Sequence, residues 1–71
     1  MYTVLLEGPI FENNDGYRRK YYTVDVMDED NNPIDETIET EKYGVAVECA
    51  YGYVETYNAE FIDKSTSPTG V

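Results

Sequence analysis

The stretch from Thr40 to Asn58, TEKYGVAVECAYGYVETYN, decides how the chain can fold. At about 100° per residue, Tyr43, Ala46, Val47, Ala50, Tyr53, Val54 and Tyr57 fall on one broad stripe, with Glu41, Glu48, Gly52 and Glu55 opposite. Thr40 suits the N-cap, Glu41 suits the first turn, and Asn58 tolerates the left-handed conformation that ends a helix. The spacing predicts a helix over 41–57. With a single helix available, the remaining apolar surface must come from a sheet that this helix covers on one face.

Working outward, the other segments read as strands and turns. Met1 to Glu7 is rich in β-branched and aromatic residues, with Tyr2, Val4 and Leu6 on one face, and Gly8-Pro9 is expected to end it. The segment IFENNDG, closing on Asn-Asn-Asp-Gly, is expected to be a turn. A second strand is predicted from Tyr17 to about Met27, its even face of Tyr22, Val24 and Val26 toward the core. Asp28 to Pro33 reads as the next turn. Beyond it Ile34 and Ile38 point inward on a third strand, with Asp35, Thr37 and Glu39 outward and Glu36 as an inward guard against edge pairing. Ala59 to Asp63 is expected to be a last strand. The expected fold class is α+β: a small antiparallel sheet in β-β-β-α-β order with one amphipathic helix on one face. The domain is expected to span 1–63, with 64–71 a frayed Ser/Thr/Pro/Gly tail.

Composition narrows the class. The chain has 71 residues, 41% of them apolar and 14% aromatic, which suits one small folded domain and not a disordered segment. Its single cysteine, Cys49, excludes an internal disulfide and reads as a small packing residue. No apolar run approaches a membrane span, and the N-terminus lacks a basic n-region, so a soluble, unprocessed, cytoplasmic protein is expected. The net charge is −10. Residues 1–20 are balanced, with three acids against Arg18, Arg19 and Lys20; twelve acids against Lys42 and Lys64 carry the whole excess in residues 21–71. Such a chain repels nucleic acid and anionic membrane and attracts basic partners.

Catalytic constellations are missing from the sequence. There is no histidine, no phosphate-cradling glycine loop, and every serine lies in the expected tail, so no enzyme and no cofactor are expected. The spacing of Asp28, Asp30, Asn32 and Glu39 matches positions 1, 3, 5 and 12 of a calcium loop. Pro33 stands where the glycine should be and Asp35 where an apolar residue should be, so a polar turn is the better reading and no metal is assigned. YRRKYY, Tyr17 to Tyr22, is the one basic cluster, but alternation splits it between two faces. Its cations are expected to pair with neighbouring carboxylates or with a second copy. Of the eight tyrosines, Tyr43, Tyr53 and Tyr57 belong to the core stripe, whereas Tyr17, Tyr21 and Tyr51 are expected to be exposed.

The acids themselves have a geometry. Asp28 to Glu41, DEDNNPIDETIETE, holds seven carboxylates and no base. Glu41, Glu48 and Glu55 recur every seven residues, a row spaced by about 10 Å on a helix. Asp35 and Glu39 lie about 13 Å apart along a strand. Rigidly displayed carboxylates are what imitation of a phosphate track requires, although charge can serve solubility alone.

In size, acidity and absent catalytic groups the chain is similar to the small acidic anti-defence or host-takeover proteins of bacteriophages, including DNA-mimic inhibitors of restriction enzymes, CRISPR effectors and RNA polymerase. That resemblance is one of class, with no motif behind it. It implies a non-catalytic inhibitor in the host cytoplasm whose Asp28, Asp30, Asp35, Glu36, Glu39, Glu41, Glu48, Tyr51 and Glu55 meet a basic, nucleic-acid-binding surface of a larger protein. Direct nucleic-acid or membrane binding is not expected. The alternatives are a self-associating module, with a homodimer among its forms, and a weak calcium site.

Overall fold

Two long strands and the turn between them set the frame. The computed structural model describes residues 1–66, in which β1 (Thr3–Asn14) pairs antiparallel with β2 (Tyr17–Met27). Asp15 (φ 50°) and Gly16 (φ 78°) form a two-residue connection with positive φ at both positions, the geometry whose twist matches antiparallel strands. IFENN is thus strand and only Asp-Gly is turn, which shortens the expected turn.

Gly8-Pro9 does not end β1, contrary to expectation. The peptide between them is cis, and the register shifts between Glu7 and Ile10, so two residues on β1 oppose Tyr22 alone. A bulge absorbs the proline, whose missing N–H would otherwise break the ladder. Gly8 has φ 139°, and a Cβ there would stand 2.7 Å from Cδ2 of Tyr22 and 3.0 Å from its Cα. Glycine is required both by the backbone and by the close approach. The extra residue inverts the alternation: Val4 and Leu6 face inward before the bulge, and Phe11 and Asn13 share that side after it, opposite Lys20 and Arg18.

The helix α1 spans Tyr43–Tyr57 and starts two residues later than predicted. Thr40 ends strand β3 (Ile38–Thr40), paired with Tyr22, and so is not the N-cap; Lys42 takes that place without a side-chain cap. Asn58 does close the helix in the left-handed region (φ 52°, ψ 47°), donating its N–H to the Val54 carbonyl.

The third strand is shorter than expected. Pro33 touches Met27 through an isolated bridge, and residues 35–37 leave the sheet before Ile38 returns to it. Ile34 and Ile38 pack on the core as predicted, but Glu36 is exposed, not inward.

The sheet order is β3-β2-β1-β4, and β4 (Glu60–Asp63) runs parallel to β1, with Thr3 opposite Glu60 and Leu6 opposite Asp63. The α+β class stands, with a mixed sheet in place of a wholly antiparallel one. The reason is the helix itself: it carries the chain from one edge back to the strand-start end of the other edge, the crossover that parallel pairing needs. The chain beyond Asp63 stays on β1, where Lys64 and Thr66 donate N–H groups to the carbonyls of Leu6 and Gly8, each at 2.8 Å. Residues 64–66 of the expected tail thus lie along β1; the rest, 67–71, lies outside the described residues.

The core lies between α1 and the half of the hairpin nearest the termini. Val4, Leu6, Tyr22, Val24 and Val26 from the sheet meet Ala46 and Ala50 from the helix, whose short side chains allow close approach. No helix among the described residues is long and apolar enough to cross a membrane.

Candidate functional site

The predicted site residues fall into two groups that the sequence does not distinguish. The first group is held by contacts within the chain. Asp28 Oδ1 accepts the N–H groups of Asp30 and Asn32, both at 2.9 Å, while Asn31 takes φ 64°. This carboxylate is a turn former. Glu39 binds Arg19 at 3.2 Å, Glu12 approaches the same guanidinium at 3.8 Å and Glu41 at 4.0 Å. The guanidinium also lies 4.4 Å from the ring centre of Tyr21. Arg19 thus gathers three carboxylates on the sheet face opposite the helix. It leaves Tyr21 only 8% exposed, although its position on the outer face predicted an open tyrosine.

Asp35 is held by a different device. The Tyr57 hydroxyl donates to Asp35 Oδ2 at 2.5 Å and the Tyr53 hydroxyl to the Glu36 carbonyl at 2.7 Å. Tyr43 donates to Asp63 at 2.6 Å and Tyr21 to Glu12 at 3.1 Å. The rings of Tyr53 and Tyr57 pack on the core margin, that of Tyr43 lies against Tyr22, and that of Tyr21 lies under Arg19 on the opposite face, while each hydroxyl reaches a neighbouring oxygen. These bonds hold the carboxyl of Asp35 below its ordinary value, chiefly through Tyr57 and then through the Glu36 N–H. In return the Tyr57 and Tyr43 phenols are pushed up, each first by its carboxylate partner. The Tyr21 phenol is pushed up by burial first and by Glu12 second. Three of the tyrosines, Tyr43, Tyr53 and Tyr57, tie the helix to residues 35, 36 and 63.

The second group is displayed to solvent. Asp30 sits at the tip of the turn after β2, Glu36 keeps its side chain exposed beside the helix, and Glu48 and Glu55 project from the outer face of α1. Tyr51, 54% exposed, lies between those two glutamates and leans edge-on against Phe61 with ring centres 5.3 Å apart. The expected row of three helical glutamates is reduced to two, because Glu41 precedes the helix and turns to Arg19.

The calcium spacing does not assemble a site. Glu39 pairs with Thr23, and Asp28 lies five residues further along the β2 direction, which separates them by about 17 Å. Among the described residues, no group of three or more His, Cys, Asp or Glu side chains is placed to hold a metal ion.

Sequence reasoning missed the Arg19 knot and the tyrosine-to-carboxylate bonds. Alternation placed Arg19 on the outer face, but which carboxylates share that face depends on the β1 bulge and on β3 pairing. The paired strands suggest a different division of charge from that between residues 1–20 and 21–71. Residues 11–20 hold Glu12 and Asp15 against Arg18, Arg19 and Lys20, a sum of +1, while the remainder holds thirteen acids against Lys42 and Lys64, a sum of −11. Comparison with known proteins returns no match among family models, curated sequences or solved structures.

Proposed function

We propose that the protein is a non-catalytic binding protein that acts in a bacterial host cytoplasm, as phage-type anti-defence and host-takeover inhibitors do, and that its acidic body docks on a basic, nucleic-acid-binding surface of a larger protein. The observation that carries this reading is the segregation of charge. Outside residues 11–20 the chain sums to −11, and Glu48 and Glu55 project from a helix that the core holds in place. A helix fixes the separation of those two carboxylates at about 10 Å, so the negative field has a defined shape. Asp30 and Glu36 extend the field past the helix, and Tyr51 offers an aromatic anchor within it.

Rim charges of this kind act mainly on association rate and on salt dependence. Immobilised protein should therefore retain nucleic-acid-binding proteins from a bacterial lysate at about 50 mM salt and release them at about 500 mM. Duplex DNA should displace the retained proteins, and Glu48→Lys with Glu55→Lys should reduce retention about tenfold or more. Retention indifferent to salt, to DNA and to both reversals would leave solubility as the role of the charge.

A further inference from the structure

The hairpin outruns the helix that covers its base. The helix packs over Tyr22, Val24 and Val26, and its first residue, Tyr43, meets Tyr22 with ring centres 5.6 Å apart. Beyond Tyr22 the two strands continue as an arm one layer thick to the turn at Asp15-Gly16. On the side of the arm that faces the same way as the helix stand Phe11 opposite Lys20 and Asn13 opposite Arg18. Phe11 is 71% exposed, the salt bridges among the described residues include neither Arg18 nor Lys20, and these three residues, together with Asn13 and with Glu12 and Arg19 of the opposite face, line a shallow concavity of about 290 Å³ around the arm. An open aromatic ring beside two cations is a docking surface for something anionic with apolar character.

The second copy of this chain carries the complement. The outer face of α1 presents two carboxylates and a ring in Glu48, Glu55 and Tyr51, against two cations and a ring on the arm, where Phe11 stands beside Lys20 and Arg18 lies further out. The spacings coincide for Lys20 and Glu48 and differ by about 5 Å for the rings and for the second ion pair. Measured from the Tyr22–Tyr43 contact, Lys20 and Phe11 lie about 7 Å out along the arm and Arg18 about 13 Å. From the same point Glu48 lies about 7 Å along the helix, Tyr51 about 12 Å and Glu55 about 18 Å. An arginine side chain spans the last difference.

We propose that two copies form a reciprocal dimer in which each arm lies across the outer face of the other copy's helix. The step between the one-layer arm and the two-layer body is what permits it. Arm and helix face the same way on either side of Tyr22, so a two-fold axis at that step places both arms on both helices at once. The contact closes on itself and makes no fibre. Each arm offers roughly 10 by 20 Å, so the dimer covers about 800 Å² in all, the lower end for specific association, and it is reversible. The inference does not rest on the binding role proposed above. It does use the same helix face, so a basic partner and the second copy exclude each other.

Sedimentation equilibrium up to about 1 mM chain in about 0.1 M salt tests it. The wild type should move from one 8.1 kDa chain toward twice that mass as concentration rises. The variant R18E/K20E and the variant E48K/E55K should each stay monomeric, with unchanged circular dichroism. A one-to-one mixture of the two should form a heterodimer, because one arm-to-helix contact is then reversed on both sides and the other is wild type on both sides, so both are attractive. A monomeric wild type overturns the proposal, whether or not its arm then binds a single-stranded oligonucleotide. So does a dimer that survives either pair of reversals, or a mixture that stays monomeric.

Discussion

The same two strands make both the most buried and the most open parts of this molecule. Between the termini and Tyr22, β1 and β2 carry Val4, Leu6, Val24 and Val26 at full burial under the helix. Between Phe11 and Lys20 every residue is exposed except Arg19, which is half-buried. Pairing alone therefore does not explain burial in this sheet; a second layer does. The body derives its stability from apolar area removed from water, and the arm keeps its shape through turn geometry and cross-strand contacts, which are individually weak. Charge follows the same division, −11 on the body and +1 on the arm. A two-stranded ribbon without a second layer has little independent stability, so its surface is available for contacts with other molecules.

The largest effect should come from the body. Leu6→Ala should cost about 3 kcal/mol by urea unfolding, because the site is sealed between sheet and helix and leaves a cavity. Phe11→Ala, a larger truncation on the arm, should stay within about 0.5 kcal/mol when measured on the monomer. Equal losses would show that the arm is packed in solution and would end the contrast.

A smaller effect is expected where arm and body meet. Arg19→Met keeps the aliphatic stem but removes the contacts to Glu12, Glu39 and Glu41 and the stacking on Tyr21. With a third of this side chain in solvent, the loss should be about 1 kcal/mol and should shrink as salt is added. A loss that does not change with salt would mean that packing, and not charge, fixes the junction.

The smallest effect is one of pH. The Asp35 carboxyl is held below its ordinary 3.8, so the stability it contributes is present above that pH and lost as pH falls through the lower folded value. The Tyr57 phenol is held above its ordinary 10.0, so its contribution is present below that pH and lost as pH rises through the higher folded value. Tyr57→Phe removes both. The gap in urea midpoint between wild type and variant should therefore be flat between about pH 4 and pH 10 and close at either end. A gap that persists into acid would show that the Tyr57 hydroxyl contributes without the Asp35 charge, since the ring contacts to Tyr2 and Tyr53, with centres 6.0 Å away, are kept in the variant.

Much of the fold was legible because its signals are local. The 3.6-residue stripe of α1, the period-two face of Tyr22, Val24 and Val26, the Asx-rich turn at Asp28 and the left-handed Asn58 each depend on residues a few positions apart. The readings that failed depend on pairings across the chain. Gly8-Pro9 reads as a stop until Tyr22 is seen to lie against a glycine with no Cβ. Thr40 reads as a cap until β3 claims it. For the candidate surface, the outward placement of Glu48, Tyr51 and Glu55 follows from helical spacing. The capture of Glu39 and Glu41 does not, because Arg19 lies twenty and twenty-two residues away.

By itself, then, the sequence determined a single amphipathic helix, a β-rich remainder and a strong excess of negative charge, since periodicity and composition are properties of neighbours and of totals. Only the tertiary structure decided that β4 runs parallel to β1, that Arg19 draws three carboxylates together, and that Phe11, Arg18 and Lys20 share an open face. Those outcomes turn on one bulge and one crossover, which fix which face each distant side chain occupies and so which charges meet.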